Sequence, residues 1–78
     1  MELTLVTSIN CSACLRAETI LKNLQSNYEN IFLSIVDAKK FNNNKIQITP
    51  ALLIDNKLFS YGEIEQKKLL LKVNSFSH

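Results

Sequence analysis

The strongest constraint on this chain is a change of hydrophobic period across Asn10-Cys11-Ser12-Ala13-Cys14. Before it, Leu3 and Leu5 alternate with Thr4, and Val6, Thr7 and Ile9 are β-branched, the pattern of a strand over residues 3–8. After it, Ala13, Ala17, Ile20, Leu21 and Leu24 recur at helical spacing as a single stripe. A strand that hands over to an amphipathic helix must turn within these few residues, and both cysteines of the chain lie in that turn. The small members of the stripe lie near the cysteines, where the helix can approach a sheet closely. Glu18 and Lys22 form an i,i+4 pair on the outer side. The helix is expected to fade at Ser26-Asn27.

The following segments extend the pattern. Residues 31–36, from Ile31 to Val36, are nearly continuously apolar, which suits a strand covered on both faces and paired parallel with the first. Strand, helix, strand at this spacing is a βαβ unit, expected to be right-handed. A short helix is expected from Ala38, ending near Asn42-Asn43-Asn44, since asparagine tolerates left-handed backbone. Ile46-Gln47-Ile48-Thr49 leads into the single proline, Pro50. Ala51 to Ile54 reads as a strand, Asp55-Asn56-Lys57 as a tight turn, and Leu58 to Tyr61 as the returning strand. Gly62 breaks that strand. Glu63 is expected in the first turn of a last helix, where negative charge suits the dipole. Ile64, Leu70, Leu71 and Val73 give that helix an apolar side, and residues 74–78 read as a frayed tail. The chain shows no internal repeat and no linker, so a single α/β domain over residues 1–78 is expected, in the order β-α-β-(short α)-β-β-α.

Composition narrows the function. The net charge is only +2, and no Lys/Arg cluster alternates with aromatics, which argues against nucleic acid. The longest apolar runs, 51–54 and 69–71, are far too short to span a bilayer. The start, Met1-Glu2, lacks the basic and apolar regions of a secretory signal, so the expected compartment is the cytoplasm. There, two cysteines are not expected to act as a structural staple. The sequon match at Asn10-Cys11-Ser12 is read as chance in the same compartment.

The spacing of the thiols points to redox chemistry. The thiolate is the nucleophile, and a free cysteine is mostly protonated at neutral pH, so something must favour the anion. A helix start does so, because its first amides are unpaired and its dipole end is positive. Cys11 sits where the strand gives way to the helix. Cys14 lies one turn on, with its sulfur next to that of Cys11 on one face. Attack by Cys11 on a partner disulfide, followed by resolution by Cys14, is the natural cycle. A CxxC beside a βαβ pattern is the context in which such a pair reads as redox-active.

With these residues in view, the chain resembles the thioredoxin/glutaredoxin superfamily, and most closely the short thioredoxin-like proteins of bacteria and archaea. Three features carry the resemblance: Cys11-Ser12-Ala13-Cys14 after the first strand, the segment 46–54 with Thr49-Pro50 within it, and the hairpin followed by a final helix. It covers nearly the whole chain, and the Thr-Pro segment is the more specific half. The resemblance implies a thioredoxin-like fold with a four-stranded mixed sheet ordered second, first, third, fourth strand. It implies a cis bond at Thr49-Pro50, with Pro50 against the active-site disulfide and the Thr49 backbone open to an extended partner peptide. It implies a thiol-disulfide oxidoreductase that uses Cys11 and Cys14 as catalytic residues and Thr49 and Pro50 as substrate-binding residues, without a metal or other cofactor. The expected partners are a protein or small-molecule disulfide and a reductase, with the chain a monomer. The sequence departs from the family in four places. Asn10 stands where thioredoxins carry a tryptophan, and Ser12-Ala13 separates the cysteines. The buried acid on the first strand is matched by about Leu5, and the glutathione-binding residues of glutaredoxins are not visible in residues 60–63.

Other readings remain beside this one. A non-catalytic partner-binding domain would keep the fold without the chemistry. A strand, a CxxC and a helix also open ferredoxin-like carriers of soft ions such as Cu(I), although those end in a strand. Leu15 points away from the apolar stripe, next to the thiols; a place in a partner-docking surface is one reading of it, but an isolated exposed leucine is ordinary and is the preferred one. Arg16 reads as a solvated helix charge, Asp37 as a cap for the segment after it, and Phe59 and Tyr61 as packing residues on an edge strand. His78, the only histidine, ends the chain.

Overall fold

The computed structural model describes residues 1–40 and 48–76. Its elements are β1 (Glu2–Thr7), α1 (Ser12–Asn27), β2 (Phe32–Asp37), β3 (Ala51–Ile54), β4 (Lys57–Tyr61) and α2 (Gln66–Phe76). The four strands form one mixed sheet in the order β2-β1-β3-β4. β1 runs parallel to β2, with Val6 opposite Val36 and Thr7 opposite Asp37. β1 runs antiparallel to β3, with Val6 opposite Ala51. This is the α/β architecture and strand order that the resemblance implied.

One face of the sheet carries most of the core. Leu3 and Leu5 of β1 and Leu52 and Ile54 of β3 pack with Ala17, Leu21 and Leu24 of α1 and with Ile64, Leu69 and Val73 at the C-terminal end. Burying a leucine such as Leu21 contributes about 1.5–3 kcal/mol, and several such residues must together offset the chain entropy of a small domain. On the opposite face Val6, Ala51 and Leu53 cluster with Ala38. All four β3 residues are buried, because β3 is interior in the sheet with apolar clusters on both faces.

Four expectations change. The apolar run 31–36 is not a strand covered on both faces. β2 pairs only with β1 and lies at the sheet edge, leaving Phe32 65% and Ile35 42% exposed. The apolar side of α2 is set by Leu69 and Val73, whereas Leu71 is 70% exposed and Leu70 is also exposed. Ile64 is buried but precedes the helix, so it does not share the helical phase and misleads a periodicity that includes it. Glu63 is likewise outside α2, which begins at Gln66. Of the expected short helix, residues 38–40 form a turn closed by the Lys40 amide on the Asp37 carbonyl at 2.9 Å. The rest of it, with Asn42-Asn43-Asn44, lies outside the described residues.

The β3–β4 turn follows the local chemistry. Asp55 (φ 50°) and Asn56 (φ 67°) both take left-handed backbone, the requirement of a two-residue turn matched to strand twist. Asp55 also ties the turn to β1. Its amide donates to the Glu2 carbonyl at 2.8 Å, and its Oδ1 accepts the Glu2 amide at 2.9 Å. The β3–β4 register shifts between Leu52 and Leu53. Leu52 faces Ser60 and Leu53 faces Leu58, so Phe59 is the extra residue of the bulge and packs partly buried against the core.

Candidate active site

β1 and α1 are joined by residues 8–11. Asn10 adopts φ 58°, a left-handed conformation that asparagine takes more readily than most residues. That one residue redirects the chain from the strand into the helix. Cys11 then has extended backbone and occupies the N-cap of α1. Its carbonyl accepts the Leu15 amide at 3.3 Å. Its Sγ accepts the Cys14 amide at 3.0 Å, and so satisfies one of the helix-start donors that would otherwise be unpaired.

Cys11 and Cys14 form a disulfide with Cα atoms 5.1 Å apart. The two sulfurs are unequal. Cys14 is 3% exposed and belongs to the core, while Cys11 is only half-buried. The sulfur at the helix start is therefore the one a partner can reach. A groove of about 490 Å³ opens beside it, with Thr7, Ser8, Asn10, Cys11, Cys14 and Glu18 among its lining.

Long-range contacts bring the proline segment to this site. The pairing of Val6 with Ala51 puts Pro50 beside Thr7, at the end of β1 that leads into the cysteine turn. The Thr49–Pro50 peptide bond is cis and Pro50 is fully buried. Ser8 Oγ and Thr49 Oγ1 share a hydrogen bond of 2.7 Å across the two loops. The Pro50 carbonyl accepts the Gly62 amide at 2.7 Å, which joins the same segment to the β4–α2 connection. Gly62 has φ +69°, a region that a side chain makes unfavourable.

Chain family and site then coincide. A family model described as a thioredoxin domain matches residues 1–74. The chain belongs to the thioredoxin domain family. No curated protein matches it. In this thioredoxin domain the four residues singled out from the sequence, Cys11, Cys14, Thr49 and Pro50, are gathered at one end of the sheet by the β1–β3 pairing. The last described element is a helix, and the family match over residues 1–74 is to a thioredoxin domain, not to the ferredoxin-like carriers. Among the described residues no third Cys, His, Asp or Glu joins the cysteines in a group able to hold a metal. No helix among them is long and apolar enough to cross a membrane. His78 lies outside the described residues.

The charged groups near the site are paired. Arg16 is not a free helix charge: its Nε donates to Glu63 Oε1 at 2.9 Å, and its Nη2 reaches the same oxygen. The hydrogen bond from Arg16 holds the Glu63 carboxyl below the ordinary glutamate range, and the same bond raises the guanidinium. Both side chains are more than half exposed, so the pair locates the β4–α2 connection against α1 more than it adds stability. Asp37 does cap the turn after β2, its Oδ1 accepting the Lys39 amide at 2.8 Å. Ile9, Leu15 and Ile48, adjacent in sequence to Ser8, Cys14 and Thr49, are 69%, 66% and 57% exposed, and Leu15 lines the thiol groove.

Sequence reasoning missed Ser8 and Glu63. Neither carries a local signal, since their partners lie 41 and 47 residues away. Glu18 was recognised only as the partner of Lys22, and its place in the thiol groove was missed. Its spacing of four residues from Cys14 was the available clue.

Proposed function

We propose that this thioredoxin domain is a thiol-disulfide oxidoreductase that cycles Cys11 and Cys14 between dithiol and disulfide. The observation that carries the reading is the capping geometry: the accessible sulfur accepts a helix-start amide, and its partner sulfur is buried within bonding reach. In the reduced protein the Cys11 thiolate attacks a sulfur of the partner disulfide. One partner thiolate leaves and a mixed disulfide forms. The Cys14 thiolate then attacks Cys11 Sγ, the second partner thiolate leaves, and the intramolecular disulfide closes. Two electrons pass to the partner, whose two sulfurs gain the two protons.

The Thr49 backbone beside the thiol turn is the proposed site for an extended partner segment, and Ile9, Leu15 and Ile48 are the proposed apolar contacts for it. A protein disulfide fits that surface, and a small disulfide fits the groove. The cycle needs no bound cofactor. It does need a reductase to restore the dithiol, which suits a monomer working in the cytoplasm. Reduction of insulin or of a small aromatic disulfide tests the proposal. Cys11→Ser should abolish turnover, and equal activity in wild type and variant refutes it.

A further inference from the structure

We propose that Glu18 is the proton acceptor for Cys14 in the step that closes the disulfide, an inference that rests on the oxidoreductase reading above. The need for such a group follows from burial. Cys14 is 3% exposed, and an apolar environment favours the neutral thiol over the attacking thiolate. β1 offers no acid beneath it, because its buried side chains are Leu3, Leu5 and Val6.

Glu18 is placed to fill the need. It lies four residues beyond Cys14 on α1 (Ser12–Asn27), so the two side chains are neighbours on one helix face. It lines the same groove as both cysteines. Its side chain is 29% exposed, and Lys22 Nζ at 2.8 Å pairs it as a carboxylate. Among the described residues that line the groove, Glu18 is the one carboxylate.

The surrounding charges leave that assignment intact. Thr7 and Ser8 face the groove from β1 and its loop without charge. Asp37 of β2 is in register with Thr7, but its Oδ1 accepts the Lys39 amide. Lys39 and Lys40 are exposed in the turn beyond. Arg16 projects from the other side of the helix and is occupied by Glu63. The groove between α1 and α2 is lined by uncharged residues such as Ile20, Asn23 and Leu69.

In the mixed disulfide, Glu18 takes the proton from Cys14 Sγ, directly or through one water in the groove. The thiolate attacks Cys11 Sγ and the Cys11–partner S–S bond breaks. The departing partner thiolate then receives a proton from the protonated Glu18 or from water. No oxidant beyond the partner disulfide is required.

The test is the reaction of the reduced protein with an aromatic disulfide whose thiolate product absorbs visible light, followed by stopped flow from pH 5 to 10. The first equivalent of product reports attack by Cys11, and the second reports closure by Cys14. Glu18→Gln should slow the second phase relative to the first on the order of 100-fold near pH 7, the low end of general-base contributions. The deficit should shrink at high pH, where hydroxide removes the Cys14 proton. Equal second-phase rates at every pH overturn the proposal. So does a deficit that is the same at every pH, since a residue that only shapes the groove would behave that way. Failure of the wild type to release either equivalent removes the oxidoreductase reading and this inference with it.

Discussion

The capping contact makes a quantitative prediction about the reduced protein. Once the disulfide is opened, Cys11 Sγ remains at the N-cap of a 16-residue helix facing the Cys14 amide. A hydrogen bond to a charged acceptor contributes about 1.5–3 kcal/mol. The helix dipole adds about 0.3–1 kcal/mol, and partial burial of Cys11 subtracts part of the sum. A net of about 2 kcal/mol in favour of the thiolate corresponds to about a 30-fold larger thiolate population than in the unfolded chain, at a pH where both are mainly protonated. The sign fixes the linkage. A thiol titrating lower when folded stabilises the reduced fold above the unfolded thiol's range, and that contribution disappears as pH falls through the folded value. The assay is alkylation of Cys11 by iodoacetamide from pH 5 to 9, in Cys14→Ser protein, native and urea-unfolded. The native profile should be displaced to lower pH than the unfolded one. Coincident profiles would refute the argument and favour a partner-binding domain that keeps the fold without the chemistry.

Two further outcomes follow from the contacts around the site. Glu63→Gln should lower stability slightly near neutral pH, and added salt should shrink the difference from wild type, because the Arg16 pair is exposed. Since Arg16 lowers the folded Glu63 pKa, the pair's contribution is full above the unfolded glutamate range and is lost as pH falls through the folded value. Thermal melts of wild type and variant should therefore converge in acid, and a difference that grows on acidification would contradict the assignment. Gly62→Ala should destabilise the fold by about 1–2 kcal/mol through backbone alone, because no atom lies within 4 Å of an added Cβ. Denaturant titration reads this, and an unchanged midpoint would show that the φ of +69° is not required.

Much of the architecture was legible because it is written in short-range patterns. The α1 stripe worked because Ala17, Leu21 and Leu24 all face one sheet. The turn at Asp55-Asn56 worked because left-handed backbone is a property of those residues. The expectation for β2 failed for a different reason: an apolar run reports propensity, not position, and only the strand order puts residues 32–37 at an edge. In α2 the choice of Leu69 over Leu70 and Leu71 depended on where the helix begins, which the connection after Gly62 decides.

The candidate site divides along the same line. The order of residues alone set the two thiols three apart at a strand-to-helix junction, because capping and helical reach are local. Closure of the sheet brought Thr49 to Ser8, Pro50 to the end of β1, and Glu63 to Arg16. Those partners are separated by more than forty residues, and no pattern along the chain encodes which of many polar side chains will meet once the strands have paired.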